Sequence, residues 1–185
     1  VIKDKLGHKI DDWVRALFPF LFARSINPDL LTVIGTLICL AGAVAFGLGE
    51  LVIGALLLWA GGMFDLVDGV VARHFKRSSI FGAFLDSTLD RLVDMAVFLA
   101  LVVYYARAGE LTTSLLAGIV LISSVLTSYT KARAEALDIR LPGGIIERGE
   151  RITLTVAGAL LGLMTPALWV LAVGSTATVV QRFSG

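Results

Sequence analysis

The chain is poor in the side chains that most often build reactive or cross-linked sites: one cysteine, two histidines and 17% charged residues in 185 positions. A single cysteine, Cys39, excludes an intrachain disulfide, and its place inside a long apolar run suits core packing. His8 and His74 are out of register with the acidic residues described below, which leaves them surface or interfacial places. No internal repeat and no low-complexity tract is present. The net charge of +1 gives no basis for a nucleic-acid partner.

Apolar residues, at 57%, are what the chain has in abundance. They gather in runs close to the roughly 20 residues that cross a bilayer: one after Leu30, then 51–64, 92–106, 112–130, 152–164 and 166–180. The expected fold is an all-α polytopic membrane protein with six transmembrane helices over 25–185, preceded by a juxtamembrane amphipathic helix over 1–24. In that first segment Lys3, Lys5 and Lys9 mix with Ile10, Trp13, Val14, Leu17 and Phe18 at helical spacing, and charge throughout argues against a signal peptide. Asn27-Pro28-Asp29 reads as the cap and opening turn of the first span. When the spans alternate in direction, Arg107 is the one base of the 16 Lys and Arg on the far side. The positive-inside rule then turns the N-terminal segment, the 73–91 and 131–151 regions and the C-terminus to the cytoplasm of an integral cell-membrane protein.

Two of these apolar segments contain carboxylates. The pattern is Asp65-x-x-Asp68-Gly69-x-x-Ala72-Arg73, then Gly82-x-x-x-Asp86-x-x-x-Asp90. An ionisable group at bilayer depth costs several kcal/mol unless it meets a partner, a cavity or a metal. Spacings of three and four put each pair on one helix face, and an antiparallel hairpin turning near Arg77 brings all four acids to matching depth. At about 1.5 Å per residue they lie roughly 10–20 Å from the turn. Four adjacent carboxylates cannot all stay ionised without cations. Oxygen-only ligation favours Mg²⁺ or Mn²⁺, and two ions sharing carboxylates suit displacement at phosphorus. Arg73 adds a donor for a phosphate oxygen. Gly69, Ala72 and Gly82 keep the same faces open to a ligand or to close helix packing. Asp94 extends the stripe and can pair with a base from another helix.

These residues match every fixed position of D-x2-D-G-x2-A-R-x8-G-x3-D-x3-D, and the chain therefore resembles the CDP-alcohol phosphotransferase family. The resemblance implies a catalytic domain that transfers the phosphatidyl-type group of CDP-diacylglycerol, or another CDP-linked lipid, to an alcohol and releases CMP. It implies Asp65, Asp68, Asp86 and Asp90 as ligands of two metal ions, Asp90 also as proton acceptor, and Gly69 and Arg73 as CDP contacts. Asp29, Thr32 and Ser79 match nucleotide-lipid contacts, with Ala72 and Gly82 shaping the same side. A homodimer is also implied.

The acceptor is read from a second cluster, Ser128-Tyr129-Thr130-Lys131-Ala132-Arg133 and Glu147-Arg148-Gly149-Glu150-Arg151. Lys131, Arg133, Arg148 and Arg151 converge on the cytoplasmic entrance and suit an acceptor that is itself phosphorylated, with Ser128 as a hydroxyl contact. This segment is similar to the phosphatidylinositol-phosphate synthase branch, whose acceptor is inositol phosphate. Glycerol-3-phosphate satisfies a basic pocket equally, and archaeal enzymes using CDP-archaeol look similar. A cation transporter also uses intramembrane acids, but here they lie towards one face and the far-side loops are nearly uncharged.

Overall fold

A computed structural model describes residues 27–74 and 79–184. The expected surface helix at 1–24 lies outside the described residues. Those described form six helices and no strand: α1 Pro28–Leu48, α2 Leu51–His74, α3 Ile80–Arg107, α4 Leu111–Glu135, α5 Arg148–Leu160 and α6 Met164–Ser184. Three of them, α1, α4 and α6, are long and apolar enough to cross a membrane. In α2 the apolar stretch is Leu51–Asp65. The fifth apolar run departs from expectation. Its helix has 13 residues, about 20 Å at 1.5 Å per residue, and ends at Leu160 before a turn in which Gly162 takes φ +67°.

The helix ends follow local chemistry. Asn27 caps α1, its Oδ1 accepting the Asp29 N–H at 3.1 Å, and Pro28 opens the helix. Gly49 closes α1 in the left-handed region at φ 89°, where a side chain is strained. Ser79 caps α3, its Oγ accepting the Gly82 N–H at 2.8 Å.

The crossing of α1 and α2 sets the height of the first carboxylates. Gly35, Cys39, Gly42 and Phe46 form one stripe on α1, facing Gly54, Leu58, Gly61 and Asp65 on α2. A Cβ on Gly35 meets the Phe64 Cβ at 2.8 Å, and one on Gly42 meets the Gly54 carbonyl oxygen at 3.0 Å. Small residues therefore let the two backbones touch, as they do wherever lipid supplies no hydrophobic drive for association. Cys39 is buried in this seam, in the packing role expected of it.

Helices α2 and α3 bring Asp65, Asp68 and Asp86 together as the expected hairpin would, but among the described residues they do so with little direct packing on each other. Among the described residues α1 packs on both α2 and α3, α5 packs on α2, and α2 and α3 make no extensive contact with each other. The acids thus face one another across a gap bordered by α1 and α5. Helix α4 joins α3 to α6, around buried Phe46, Leu101, Leu168 and Leu171.

Candidate active site

Asp65 and Asp68 from α2 meet Asp86 from α3, one carboxylate oxygen from each lying within 4.8 Å of the others. Ligand oxygens on one Mg²⁺ or Mn²⁺, at about 2.0–2.2 Å from the ion, are at most about 4.4 Å apart, so small side-chain rotations close the set. Two further observations bear on the fit. The Asp86 Oδ1 atom is buried without a hydrogen-bond partner, a costly arrangement that a cation relieves. Among the described residues no His or Cys donor joins the three acids, so the set is all oxygen, as a hard divalent cation requires.

Asp68 is held from behind. The Thr32 hydroxyl, buried on α1, donates to Asp68 Oδ2 at 2.6 Å, while the Pro28 carbonyl lies 3.1 Å from the same hydroxyl. With one proton to give, Thr32 commits it to the shorter, charge-assisted contact. Asp90 lies outside the mutually close set. Its Oδ1 is 2.7 Å from Arg148 Nη2, and Arg148 Nη1 is 2.9 Å from Asp65 Oδ2. Arg148 Nε is 4.0 Å from Asp94 Oδ1, whose other oxygen is 2.6 Å from Arg151 Nη2. Asp94 is thus paired with a base from another helix, as its position on the stripe suggests.

Arg148 and Arg151 occupy the first turn of α5, at an end where the helix dipole disfavours cations by roughly 0.3–1 kcal/mol each. The acids of α2 and α3 offset this. A capping box fixes the turn: Glu147 accepts from the backbone of Glu150, and the Glu150 side chain accepts the Glu147 N–H at 3.0 Å.

Beside the acids a cleft of about 250 Å³ opens between α3, α4, α5 and α6. Asp86 and Asp90 form one wall. Ser128, Lys131, Arg148 and Arg151 line it, bringing together four of the five residues expected to meet the acceptor. Arg133 is exposed and does not belong to the lining. Arg182 does, and sequence reasoning missed it: a lone arginine ending the sixth apolar run looks like a membrane anchor. It is buried, donating to the Thr127 carbonyl and, at 3.3 Å, to Glu147 Oε1. Ser87, Arg91, Asp94, Thr127 and Glu147 complete the polar lining.

The residues expected to meet the nucleotide-lipid gather at the start of α1 and α3. A Cβ on Gly82 lies 2.9 Å from Asp29 Oδ1 and 3.0 Å from Ser79 Oγ, so the absence of a side chain there lets the Asp29 carboxylate reach the α3 cap. Gly69, Ala72 and Arg73 are on α2, and their side chains fall outside what the structure describes.

Comparison with known proteins agrees with this geometry. A model of the CDP-alcohol phosphatidyltransferase family matches residues 25–180. The phosphatidylinositol phosphate synthase of Mycobacteroides abscessus is 42% identical over 172 residues, covering 88% of this chain and 78% of that protein. The crystal structure of Mycobacterium tuberculosis phosphatidylinositol phosphate synthase with CDP-DAG bound superposes with a TM-score of 0.82 at 35% identity, covering 95% of this chain and 92% of that one. The same enzyme in complex with manganese and citrate gives 0.82 at 35% identity, over 92% and 87%. These matches select a transferase over a cation transporter. With its carboxylates on two facing helices and a basic cleft beside them, the chain belongs to the CDP-alcohol phosphatidyltransferase family.

Proposed function

We propose that this membrane enzyme transfers the phosphatidyl group of CDP-diacylglycerol to a hydroxyl of inositol phosphate, forming phosphatidylinositol phosphate and releasing CMP. The observation that carries the reading is the cleft in which Lys131, Arg148, Arg151 and Arg182 stand beside Asp86 and Asp90. Several cations around about 250 Å³ suit a small polyol with its own phosphate, and an uncharged alcohol has no use for them. Ser128, Thr127 and Glu147 supply hydroxyl and carboxylate partners for the ring hydroxyls.

The chemistry balances with this chain's own groups. The acceptor oxygen attacks the lipid-side β-phosphorus, its proton passes to Asp90, the bond from that phosphorus to the bridging oxygen breaks, and the electron pair leaves with CMP. Lys131 and the arginines hold the acceptor phosphate away from the reacting phosphorus, so that its hydroxyl faces Asp90. Asp65, Asp68 and Asp86, with Asp90, would hold two Mg²⁺ or Mn²⁺ ions, which when bound would offset the charge of the pyrophosphate. Asp29, Thr32, Ser79 and Gly82, with Gly69, Ala72 and Arg73, border the nucleotide-lipid side. The same reading gives six crossings with the cleft open to the cytoplasm, residues 1–24 on the membrane surface, and a homodimer.

Purified protein offered labelled CDP-diacylglycerol and Mg²⁺ is expected to release CMP with inositol phosphate and to respond poorly to free inositol, serine and glycerol-3-phosphate. Lys131→Ala is expected to raise the acceptor KM with little change in the CDP-lipid KM. Preference for an uncharged alcohol overturns the phosphate-pocket reading, and preference for glycerol-3-phosphate reassigns the acceptor.

A further inference from the structure

Arg148 was expected to face the acceptor, yet its guanidinium forks between Asp65 and Asp90, at 2.9 and 2.7 Å. Those two acids come from different helices, α2 and α3, which among the described residues make no extensive contact with each other. Asp65 is therefore shared. It belongs to the three-carboxylate set with Asp68 and Asp86, and it is also one of the two anchors of Arg148. A divalent cation and a guanidinium held on one carboxylate repel each other at a few ångströms in a low dielectric, so each weakens the other's hold on Asp65. Arg148 also borders the acceptor cleft, so a modest side-chain rotation moves its charge from the acids to that space. Arg151 differs in that its ion pair is with Asp94, at 2.6 Å, and not with any of the three clustered acids.

We propose that Arg148 is an exchangeable counter-cation: it competes with the divalent ion for Asp65 and Asp90, and its displacement delivers a positive charge to the acceptor cleft. Cation loading and acceptor-phosphate binding are then coupled through one side chain, and the coupling is reciprocal. Asp90 is freed from its guanidinium partner in the same movement, so the proton acceptor becomes available as the acceptor arrives. This inference rests on the metal and acceptor reading given above.

The test needs no turnover. Mn²⁺ binding to the full chain in detergent, without CDP-lipid, is followed by electron paramagnetic resonance with and without inositol phosphate. In the unsubstituted protein inositol phosphate is expected to tighten Mn²⁺ binding. Arg148→Met is expected to bind Mn²⁺ about tenfold more tightly, within the usual range of such couplings, and to lose most of the response to inositol phosphate. Arg133→Ala removes the same charge from an exposed position off the cleft and is expected to keep the original Mn²⁺ affinity. Should Arg148→Met fail to fold, Arg148→Lys serves, since a single ammonium cannot span both acids, and part of the tightening is expected. Unchanged or weaker Mn²⁺ binding in the Arg148 variants, an undiminished response to inositol phosphate, or equal tightening in Arg133→Ala overturns the proposal. Failure of the unsubstituted protein to bind Mn²⁺ at all overturns the underlying metal reading instead.

Discussion

Thr32 separates two roles that a motif cannot distinguish, touching the nucleotide-lipid and steadying a metal ligand. Its hydroxyl lies 2.6 Å from Asp68 Oδ2 and is buried, so its first effect is on the orientation of that carboxylate. Groups that orient ligands in this way typically change metal affinity by about 10–100-fold when removed. Thr32→Val, which keeps the shape and deletes the donor, is expected to raise the Mg²⁺ concentration for half-maximal CMP release by about tenfold. Thr32→Ser is expected to restore it, with the CDP-lipid KM nearly constant. A shift confined to the CDP-lipid KM instead assigns Thr32 to the substrate. Asp65, Asp68 and Asp86 were legible in the sequence because charge in an apolar run is costly and helical periodicity says which charges share a face. The partner of Asp90 was not legible. Arg148 lies 58 positions along the chain, and only the placement of α5 against α2 brings it there.

At the scale of elements, α6 fixes one rim of the acceptor cleft by holding the α4–α5 connection. Thr178 Oγ1 accepts the Ile146 N–H at 3.0 Å, Gln181 Nε2 donates to the Gly143 carbonyl at 3.3 Å, and Arg182 reaches Glu147. The Ile146 side chain lies where a Cβ on Gly174 would go, so the connection fits against α6 closely. Thr178→Val is nearly isosteric and leaves the buried Ile146 N–H without its acceptor, at a cost of about 1–3 kcal/mol. The expected outcome is a lower Tm with a raised acceptor KM and little change in the CDP-lipid KM, read by thermal unfolding and by acceptor titration of CMP release. An unchanged acceptor KM means that the rim is held by other contacts. The Pro142-Gly143-Gly144 stretch marks a connection in the sequence, but its anchorage is tertiary, through residues more than 30 positions away, and leaves no local pattern. The short α5 was equally hidden, since the apolar residues continue through the turn at 161–163 and composition alone cannot place a helix end.

For the whole molecule, charge asymmetry predicts the direction in which the cleft opens, and α4 offers the most direct check. Its 25 residues span about 37 Å, more than the roughly 30 Å of hydrocarbon, which is long enough for its two ends to reach opposite sides of a bilayer. Arg107 and Arg140 flank that helix and are both exposed, while the native Cys39 is 4% exposed and gives little background to a thiol reagent. Arg107→Cys is expected to react with a membrane-impermeant maleimide in right-side-out vesicles, and Arg140→Cys only in inverted ones. Arg140 lies on the connection that carries Glu147 and leads into Arg148, so labelling at that position reports the side on which the acceptor cleft opens. The sign matters for the chemistry: a phosphorylated polyol is a cytosolic solute that does not cross lipid unaided, and a cleft on the opposite side has no supply of it. Labelling of both variants from one side denies that α4 crosses, and the reversed pattern turns the cleft outward and removes the argument for inositol phosphate from its charge.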